Sequence, residues 1–285
     1  MPGRVVPLGA GEWSRAYAVT FGGEELVFRL GAHGEDFAKD ARMATYASDD
    51  LPIPVVLQLG QTADGTAFAV SRRAHGDFLD ALDEDGMRAV LPNLLTTLDR
   101  LRRIEPPGTG YGLWRPDGSA SQRTWTEALL YGIEDRPGQR VHGWRSALDA
   151  SPTGARPFDT AARAFRKLAA GCPPVRQFVH SDLLNRNVLV QSGRITAVLD
   201  WGNSMYGDSL YDLAWLLYWW PWYPAWQRID IRAAVAERVA GEANAEARLR
   251  CYQVHIGLDA QAYSAYMGRW DELARNARQT LELVS

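Results

Sequence analysis

Short strand-like segments separated by glycines fill most of the first 72 residues, and this pattern constrains the fold more than any other feature. Three such segments lie between residues 5 and 30, and two more, "VVLQLG" and "AFAVSRRAHG", flank the turn "TADGT". Between the two groups, "EDFAKDARMATYASDD" has apolar residues at helical spacing and "LPIP" then ends it. We therefore expect a small N-terminal lobe, residues 1–74, with five antiparallel strands and one helix.

From about residue 77 the apolar spacing becomes helical, which predicts a larger, mostly helical C-terminal lobe over 75–285. Amphipathic helices are expected within 87–104, 124–136 and 159–171. The segment 106–122, "PPGTGYGLWRPDGSASQ", has no periodicity and is interpreted as a long loop, either a lid or plain surface.

The most apolar stretch, "LAWLLYWWPWYPAW" over 213–226, is shorter than the roughly 20 residues that a membrane span needs and is broken by prolines. It is interpreted as a buried helix ending near Pro221. A second interpretation, in which Trp219, Trp220 and Trp222 form an aromatic wall facing a ligand, stays open beside it.

Charge and cysteine content exclude several classes of protein. With 31 basic and 34 acidic residues interspersed, the formal net charge of −3 gives no basic field suited to nucleic acid. The two cysteines, Cys172 and Cys251, fit no disulfide framework or zinc pattern, and the first residues lack the apolar core of a signal peptide. We expect a cytoplasmic protein with no membrane or nucleic-acid partner.

Polar side chains surround a predicted hairpin, "RNVLVQSG" followed by "RITAVLDW", that turns at Ser192 and Gly193. Asp182 precedes the first strand, Asn187 begins it, and Asp200 ends the second. Pairing brings the last two to one end of the hairpin, where a carboxylate and an amide oxygen suit Mg²⁺ with nucleotide phosphates. Asp182 would then accept the proton of an incoming hydroxyl.

The order H-x-D-x(4)-N, then an aspartate thirteen residues later, resembles the loops of the aminoglycoside phosphotransferase family, with "HSD" and "LDW" for the kinase motifs. Further shared stretches, among them "GEWSRAYAV", "SRRAHG" and "MYGDSLYD", run in order from about residue 8 to 284. The resemblance implies an α+β, two-lobed, protein-kinase-like fold. It also implies a monomer using Mg²⁺ and ATP (or GTP) to phosphorylate a polycationic aminoglycoside, hygromycin B or a related aminocyclitol being favoured, with antibiotic resistance as the outcome.

Within this resemblance, His180 supports the loop, Asp182 is the base, and Asn187 and Asp200 hold metal. Arg29 stands where kinases carry a phosphate-binding lysine, which is a departure from the wider pattern because arginine presents a planar fork of donors. The remaining nucleotide-binding residues implied are Gly9, Gly11, Ser14, Asp40 as the partner of Arg29, and the linker residues Arg72 and Ala74. Lys39 is a possible substitute phosphate ligand, although its helix position favours solvent.

Acceptor recognition would need a pocket lined by carboxylates and aromatic rings, since aminoglycosides are polycations rich in hydroxyls. Asp208 is interpreted as a helix N-cap and Asp212 as a structural residue that bonds the catalytic loop. The candidate acceptor-binding residues are Asn203, Trp219, Asp259 and Glu272.

Three alternatives stay open at this level. A kinase of another small hydroxylated metabolite, such as a sugar, choline or a macrolide, would share every motif except the acceptor pocket. A catalytically inactive nucleotide-binding scaffold would explain the missing lysine and the incomplete glycine pattern. A metal-dependent hydrolase built on His180, Asp182 and Asp200 is the most distant, because no second histidine clusters with them.

Overall fold

The structure is a computed structural model that describes residues 5–184 and 186–285. Its strands are β1 Val5–Ala10, β2 Ser14–Phe21, β3 Glu24–Gly31, β4 Val56–Gln61, β5 Ala67–Arg72, β6 Asp77–Phe78, β7 Tyr111–Trp114, β8 Ala120–Gln122, β9 Gln177–Val179, β10 Val188–Gln191, β11 Arg194–Val198 and β12 Met205–Gly207. Its helices are α1 Gly34–Ala44, α2 Glu84–Arg102, α3 Trp125–Gly132, α4 Trp144–Ala150, α5 Arg156–Ala169, α6 Leu210–Trp219, α7 Ile231–Arg238, α8 Ala245–Tyr266 and α9 Trp270–Glu282. The predicted α+β composition is confirmed.

Two compact units divide the chain. The first comprises 1–109, 114–119 and 180–205, and the second comprises 110–113, 120–179 and 206–285. These units do not follow the expected boundary after residue 74, because the hairpin of β10 and β11 belongs with the first unit. The functional division into a nucleotide lobe and an acceptor lobe stays a prediction.

An antiparallel sheet in the order β1-β2-β3-β5-β4 forms the start of the first unit, as expected. Helix α1 packs on this sheet through Phe37, which is buried with Ala67 and Ala69. The first turn of α1 contains Glu35 and Asp36, and their negative charges are favourable there because the helix dipole is positive at its N-terminus. The single predicted helix of the N-terminal lobe is thus the element that covers the sheet.

The predicted hairpin is also present: β10 pairs with β11 in antiparallel register, from Val188 opposite Val198 to Gln191 opposite Arg194. Ser192 and Gly193 both have positive φ, 51° and 72°, which is the backbone of a tight two-residue hairpin turn. Strand β6 adds to the other edge of β10. The pairing of these apolar strands therefore fixes the positions of the residues just before β10 and just after β11.

Helices α6 and α8 pack together in the second unit around aromatic side chains, with Trp125 edge-on to Tyr211 and Tyr252. Asp208 is fully buried and binds Arg248 through two hydrogen bonds of 2.8 Å. It also accepts a 3.1 Å bond from the N–H of Leu210, but the N-cap residue of α6 is Ser209. The N-cap interpretation of Asp208 therefore misses its larger role as the partner of a buried guanidinium.

Helix α6 ends at Trp219 and is followed by a short 3₁₀ turn over Trp220–Trp222, which confirms a buried helix that stops near Pro221. The expected loop over 106–122 contains two short strands, β7 and β8, that join a sheet with β12 and β9. Their lengths of four and three residues leave no periodic pattern to detect. Within the described parts of the chain, no helix is both long and apolar enough to cross a membrane.

Candidate active site

His180 sits fully buried at the start of the loop between β9 and β10. Its Nε2 is 2.9 Å from the carbonyl oxygen of Leu199, and its Nδ1 accepts the backbone N–H of Asp182 at 3.3 Å. Burial lowers the pKa of His180 to about 4, so the ring is neutral at physiological pH. A neutral imidazole with both nitrogens bonded to backbone holds the loop and has no free nitrogen for proton transfer.

Asn187 closes the same loop. Its side-chain N–H donates to the carbonyl oxygen of Asp182 at 2.6 Å, and its own carbonyl accepts the N–H of Leu199 at 2.7 Å. The loop backbone is strained, since Ser181 and Arg186 both have φ of 61°. Because the amide nitrogen of Asn187 faces the loop, its Oδ1 is the atom left to bind a ligand.

Asp200 follows β11 in a left-handed backbone conformation, φ 56°, and its side chain is accessible to solvent although protein atoms surround it. Burial, and next the negative charge of Asp40, raise its pKa, while Arg29 opposes the shift. The carboxylate accepts the N–H of Gly202 at 3.3 Å. A reachable carboxylate kept in an unfavourable environment is a site that gains from a cation.

Arg29 on β3 forms an ion pair with Asp40 on α1. Asp40 is only 5% exposed, and its second oxygen accepts the N–H of Trp201 at 2.8 Å. The guanidinium carbon of Arg29 also lies 4.9 Å from the ring centre of Phe37. The contact between Arg29 and Asp40 that we expected is present, and the binding of phosphate by Arg29 stays a prediction.

Lys39 does not point to solvent, so that expectation is wrong. Its side chain is 2% exposed, and its Nζ donates to the carbonyl oxygens of Gly202 and Ser204 at 2.7 and 3.0 Å. A detectable signal existed in the sequence: Lys39 lies four positions before the buried Met43 and therefore shares the inner face of α1. With its ammonium engaged there, Lys39 is not placed as a substitute phosphate ligand.

Gly9 lies near the end of β1 and Gly11 in the turn that follows it, where the N–H of Gly11 donates to the carbonyl of Ser14 at 2.9 Å. Packing requires neither glycine, because an added Cβ would meet nothing within 4 Å at Gly9 and only the Ser14 carbonyl oxygen, at 3.8 Å, at Gly11. The bare backbone there is open to a ligand. The phosphate contacts of these three residues stay predictions.

Strand β5 ends at Arg72, whose N–H donates to the carbonyl of Val55 at 3.0 Å. That N–H is therefore already bonded, Ala74 is half-buried, and both predicted adenine contacts stay predictions. Gly76 has φ of 146°, and a Cβ there would lie 2.6 Å from the carbonyl oxygen of Val190. Only glycine fits where this linker crosses β10.

Asp259, on α8 of the second unit, is exposed to solvent, and yet the surrounding protein raises its pKa to about 6 by desolvation. The same helix holds His255, whose Nδ1 is 2.8 Å from the hydroxyl of Tyr211 on α6. Tyr211 is buried, and burial raises its pKa well above the usual value, with the charge of Asp259 adding to the shift. Asp259 is thus a carboxylate that solutes can reach, although the protein around it raises its pKa.

The other acceptor candidates differ in their surroundings. Trp219 is half-buried between the rings of Trp215 and Trp222, at 5.8 and 5.2 Å, and among the described residues its indole N–H has no hydrogen-bond partner. Trp220 is instead a core residue, 5% exposed, so the proposed aromatic wall reduces to Trp219 and Trp222. Glu272 lies exposed on α9, 3.8 Å from Arg269.

The candidate residues Asn203 and Asp212 differ in exposure. Asn203 has an exposed side chain, and its backbone carbonyl accepts the hydroxyl of Ser181 at 2.7 Å. Asp212 is 1% exposed in the first turn of α6, and its bonding to the catalytic loop stays a prediction.

Comparisons with known proteins identify the family of the chain. The model of the phosphotransferase enzyme family matches residues 4–252. Hygromycin-B 4-O-kinase of Escherichia coli is 34% identical over 275 residues, which cover 95% of this chain and 77% of the relative.

Solved structures extend the comparison. A thermostable mutant of aminoglycoside phosphotransferase APH(4)-Ia, in a ternary complex with AMP-PNP and hygromycin B, matches with a TM-score of 0.88 and 31% identity over 100% of this chain and 94% of that chain. A GDP complex of a variant aminoglycoside 2′-phosphotransferase-IIIa matches with a TM-score of 0.59 and 14% identity over 99% and 92%, a likeness of fold alone. The predicted kinase-like fold is confirmed, and the chain belongs to the phosphotransferase enzyme family.

Proposed function

We propose that this enzyme transfers the γ-phosphoryl group of ATP to a hydroxyl group of an aminoglycoside, with hygromycin B as the favoured acceptor. One observation carries the proposal: a hairpin holds Asn187 and Asp200 at one end, and the amide of Asn187 bonds the backbone of Asp182. The similarity to a hygromycin-B 4-O-kinase supports the choice of acceptor. Because ATP is the donor, we expect the enzyme to act in the cytoplasm, and the family resemblance leads us to expect a monomer.

Asp182 performs the proton transfer in this mechanism. Its carboxylate orients the acceptor hydroxyl and takes its proton as the oxygen attacks the γ-phosphorus. The bond from that phosphorus to the β–γ bridging oxygen breaks, and ADP leaves with the electron pair. His180 keeps the loop in place as a neutral ring, since its pKa is lowered to about 4. No covalent enzyme intermediate is needed, because positioning and charge supply the catalysis.

The residues present fit Mg²⁺. The Oδ1 of Asn187 and the carboxylate of Asp200 are hard oxygen donors, and Mg²⁺ usually takes one or two protein ligands together with phosphates and water. Across residues 5–184 and 186–285, no group of three or more His, Cys, Asp or Glu side chains is placed to hold a metal ion by itself, so phosphates and water would have to supply the other ligands. Bound there, Mg²⁺ would neutralise phosphate charge. Arg29, held by Asp40, would bind the remaining phosphate oxygens.

We further propose that Asp259 binds an ammonium group of the acceptor. The carboxylate of Asp259 is accessible, but the surrounding protein reduces its hydration. Such a carboxylate binds a cation more strongly than a fully hydrated surface group does, because water stabilises its negative charge less. The half-buried ring of Trp219 offers apolar surface of the kind that sugar rings pack against, whereas the guanidinium of Arg275 lies 3.8 Å from the centre of the Trp222 ring.

Asp259→Asn is expected to raise the acceptor KM by about tenfold, the effect of losing one charge-assisted hydrogen bond, and to leave the KM for ATP unchanged. The same change should stabilise the protein at pH 7. A carboxyl whose pKa rises from 3.8 to about 6 on folding contributes stability below pH 4 that is lost as pH rises through 6. Acceptor KM values and thermal unfolding at pH 4 and pH 7 check both parts.

Asp271→Asn is the matched control, because Asp271 is an exposed aspartate on α9 of the same unit. It should leave the acceptor KM unchanged. An Asp259→Asn enzyme that is more stable at pH 7 but keeps the wild-type acceptor KM would refute the acceptor role and leave only the electrostatic one.

The acceptor is tested by measuring ADP release with ATP and Mg²⁺ against hygromycin B, kanamycin, spectinomycin, choline and a macrolide. We expect turnover with hygromycin B well above that with choline or the macrolide. Turnover with choline or the macrolide alone would replace the aminoglycoside by another small hydroxylated acceptor. Nucleotide binding without turnover on any compound would favour the scaffold.

A further inference from the structure

Two consecutive residues of α1 contact the segment 200–204, which carries the proposed metal ligand Asp200. Lys39 donates to the carbonyl oxygens of Gly202 and Ser204 at 2.7 and 3.0 Å. Asp40 accepts the N–H of Trp201 at 2.8 Å. One helix thus provides both the donor and the acceptor that this segment needs for its backbone groups.

An aromatic ring also contacts the ammonium of Lys39. Its Nζ lies 4.8 Å from the ring centre of Trp114, within the range of a cation–π contact. The indole N–H of Trp114 donates to the hydroxyl of Ser204 at 2.9 Å, and that hydroxyl donates to the carbonyl of Trp201 at 2.5 Å. The contacts form a closed network in which each partner of Lys39 is itself held.

Asp200 needs such support. Its φ of 56° is a left-handed conformation that side-chain-bearing residues rarely adopt, and the surrounding structure must enforce it. Its own short-range bond, from the N–H of Gly202 at 3.3 Å, is long. The carbonyl oxygen of the same residue, Gly202, accepts a hydrogen bond from Lys39.

We propose that Lys39 is a positioning residue for the proposed Mg²⁺ site: it holds the segment 200–204 so that the carboxylate of Asp200 faces the cation. The inference rests on the proposed function, since it assigns Asp200 to a metal. Lys39 touches neither phosphate nor acceptor in this role, which explains why a buried lysine stands beside Asp40 while an arginine occupies the phosphate-binding position on β3.

Lys39→Met tests the proposal, because methionine fills similar space but cannot donate to the two carbonyls. In the enzyme without nucleotide or metal, backbone amides of residues 199–205 should exchange hydrogen about tenfold faster than in wild type, while those of β2 and β3 are unchanged. The Mg²⁺ concentration giving half-maximal activity should rise about tenfold, and binding of AMP-PNP in EDTA should not change.

Lys167→Met is the matched control, since Lys167 is the only other lysine and lies exposed on α5. It should behave as wild type in all three measurements. Wild-type exchange and Mg²⁺ dependence in a folded Lys39→Met enzyme would overturn the proposal. Should that variant not fold, Lys39→Gln replaces it: its shorter side chain reaches one carbonyl at most, so wild-type exchange and Mg²⁺ dependence there would overturn the proposal equally.

The exchange measurement separates this inference from the proposed function. A wild-type enzyme without turnover on any acceptor would remove the proposed reaction, yet faster exchange at residues 199–205 in Lys39→Met would still show that Lys39 holds the segment. An active wild type with unchanged exchange in the variant would remove the Lys39 role alone.

Discussion

Replacing Asp182 with asparagine is expected to lower kcat by about 10²–10⁴-fold, the usual contribution of a general base, and to leave the affinity for AMP-PNP with Mg²⁺ within about twofold. The variant keeps the backbone bonds of the loop, because His180 and Asn187 contact the N–H and the carbonyl of Asp182, which the substitution does not change. It loses the group that takes the proton from the acceptor hydroxyl. Steady-state kinetics and a nucleotide titration measure the two effects separately.

Asp50→Asn serves as the control for Asp182, because Asp50 is an exposed aspartate of the first unit whose loss should leave kcat unchanged. An Asp182→Asn enzyme with wild-type kcat would end the assignment of Asp182 as the base. A lowered kcat accompanied by an equal loss of nucleotide affinity would instead mean that the substitution disturbs the loop.

Local patterns predicted the scaffold of the site well. In the first 72 residues, glycines separate the segments that form strands. The β10–β11 hairpin is predicted by two apolar runs on either side of Ser192 and Gly193. Register then follows from the turn, so the positions of Asn187 and Asp200 relative to the strands were available from the sequence. The short strands β7 and β8 were not, because four and three residues leave no periodic pattern and β7 pairs with β12, which is distant in the chain.

Side-chain burial was harder to predict, and the electrostatics of the site depend on it. Lys39 was expected in solvent because a lysine on a helix usually lies there, yet tertiary contacts with the segment 200–204 bury it. The raised pKa of Asp259 likewise comes from atoms packed around α8. The sequence pattern indicates which residues share a helix face, but it does not indicate which groups of the opposing surface will contact them.

Asp200→Asn should separate the metal from the nucleotide. The asparagine can still accept the N–H of Gly202, so the local backbone bond survives, but one negative charge of a cluster that includes Asp36 and Asp40 is lost. We expect kcat to fall by at least about 10²-fold. Mg²⁺ should no longer tighten the binding of AMP-PNP. In EDTA the variant should bind AMP-PNP at least as tightly as wild type, since a carboxylate that repels phosphate is gone.

Asp36→Asn is the stringent control for that experiment, because it removes the same charge from the same cluster: the Cγ of Asp36 would lie 2.8 Å from a Cβ added at Gly202. If Asp200 acts as a metal ligand, Asp36→Asn keeps the Mg²⁺-dependent gain in affinity and Asp200→Asn loses it. If both variants lose it alike, the cluster acts through its total charge, and Asp200 has no ligand role of its own. Titrations of AMP-PNP with Mg²⁺ and with EDTA, for wild type and both variants, distinguish coordination from general electrostatics.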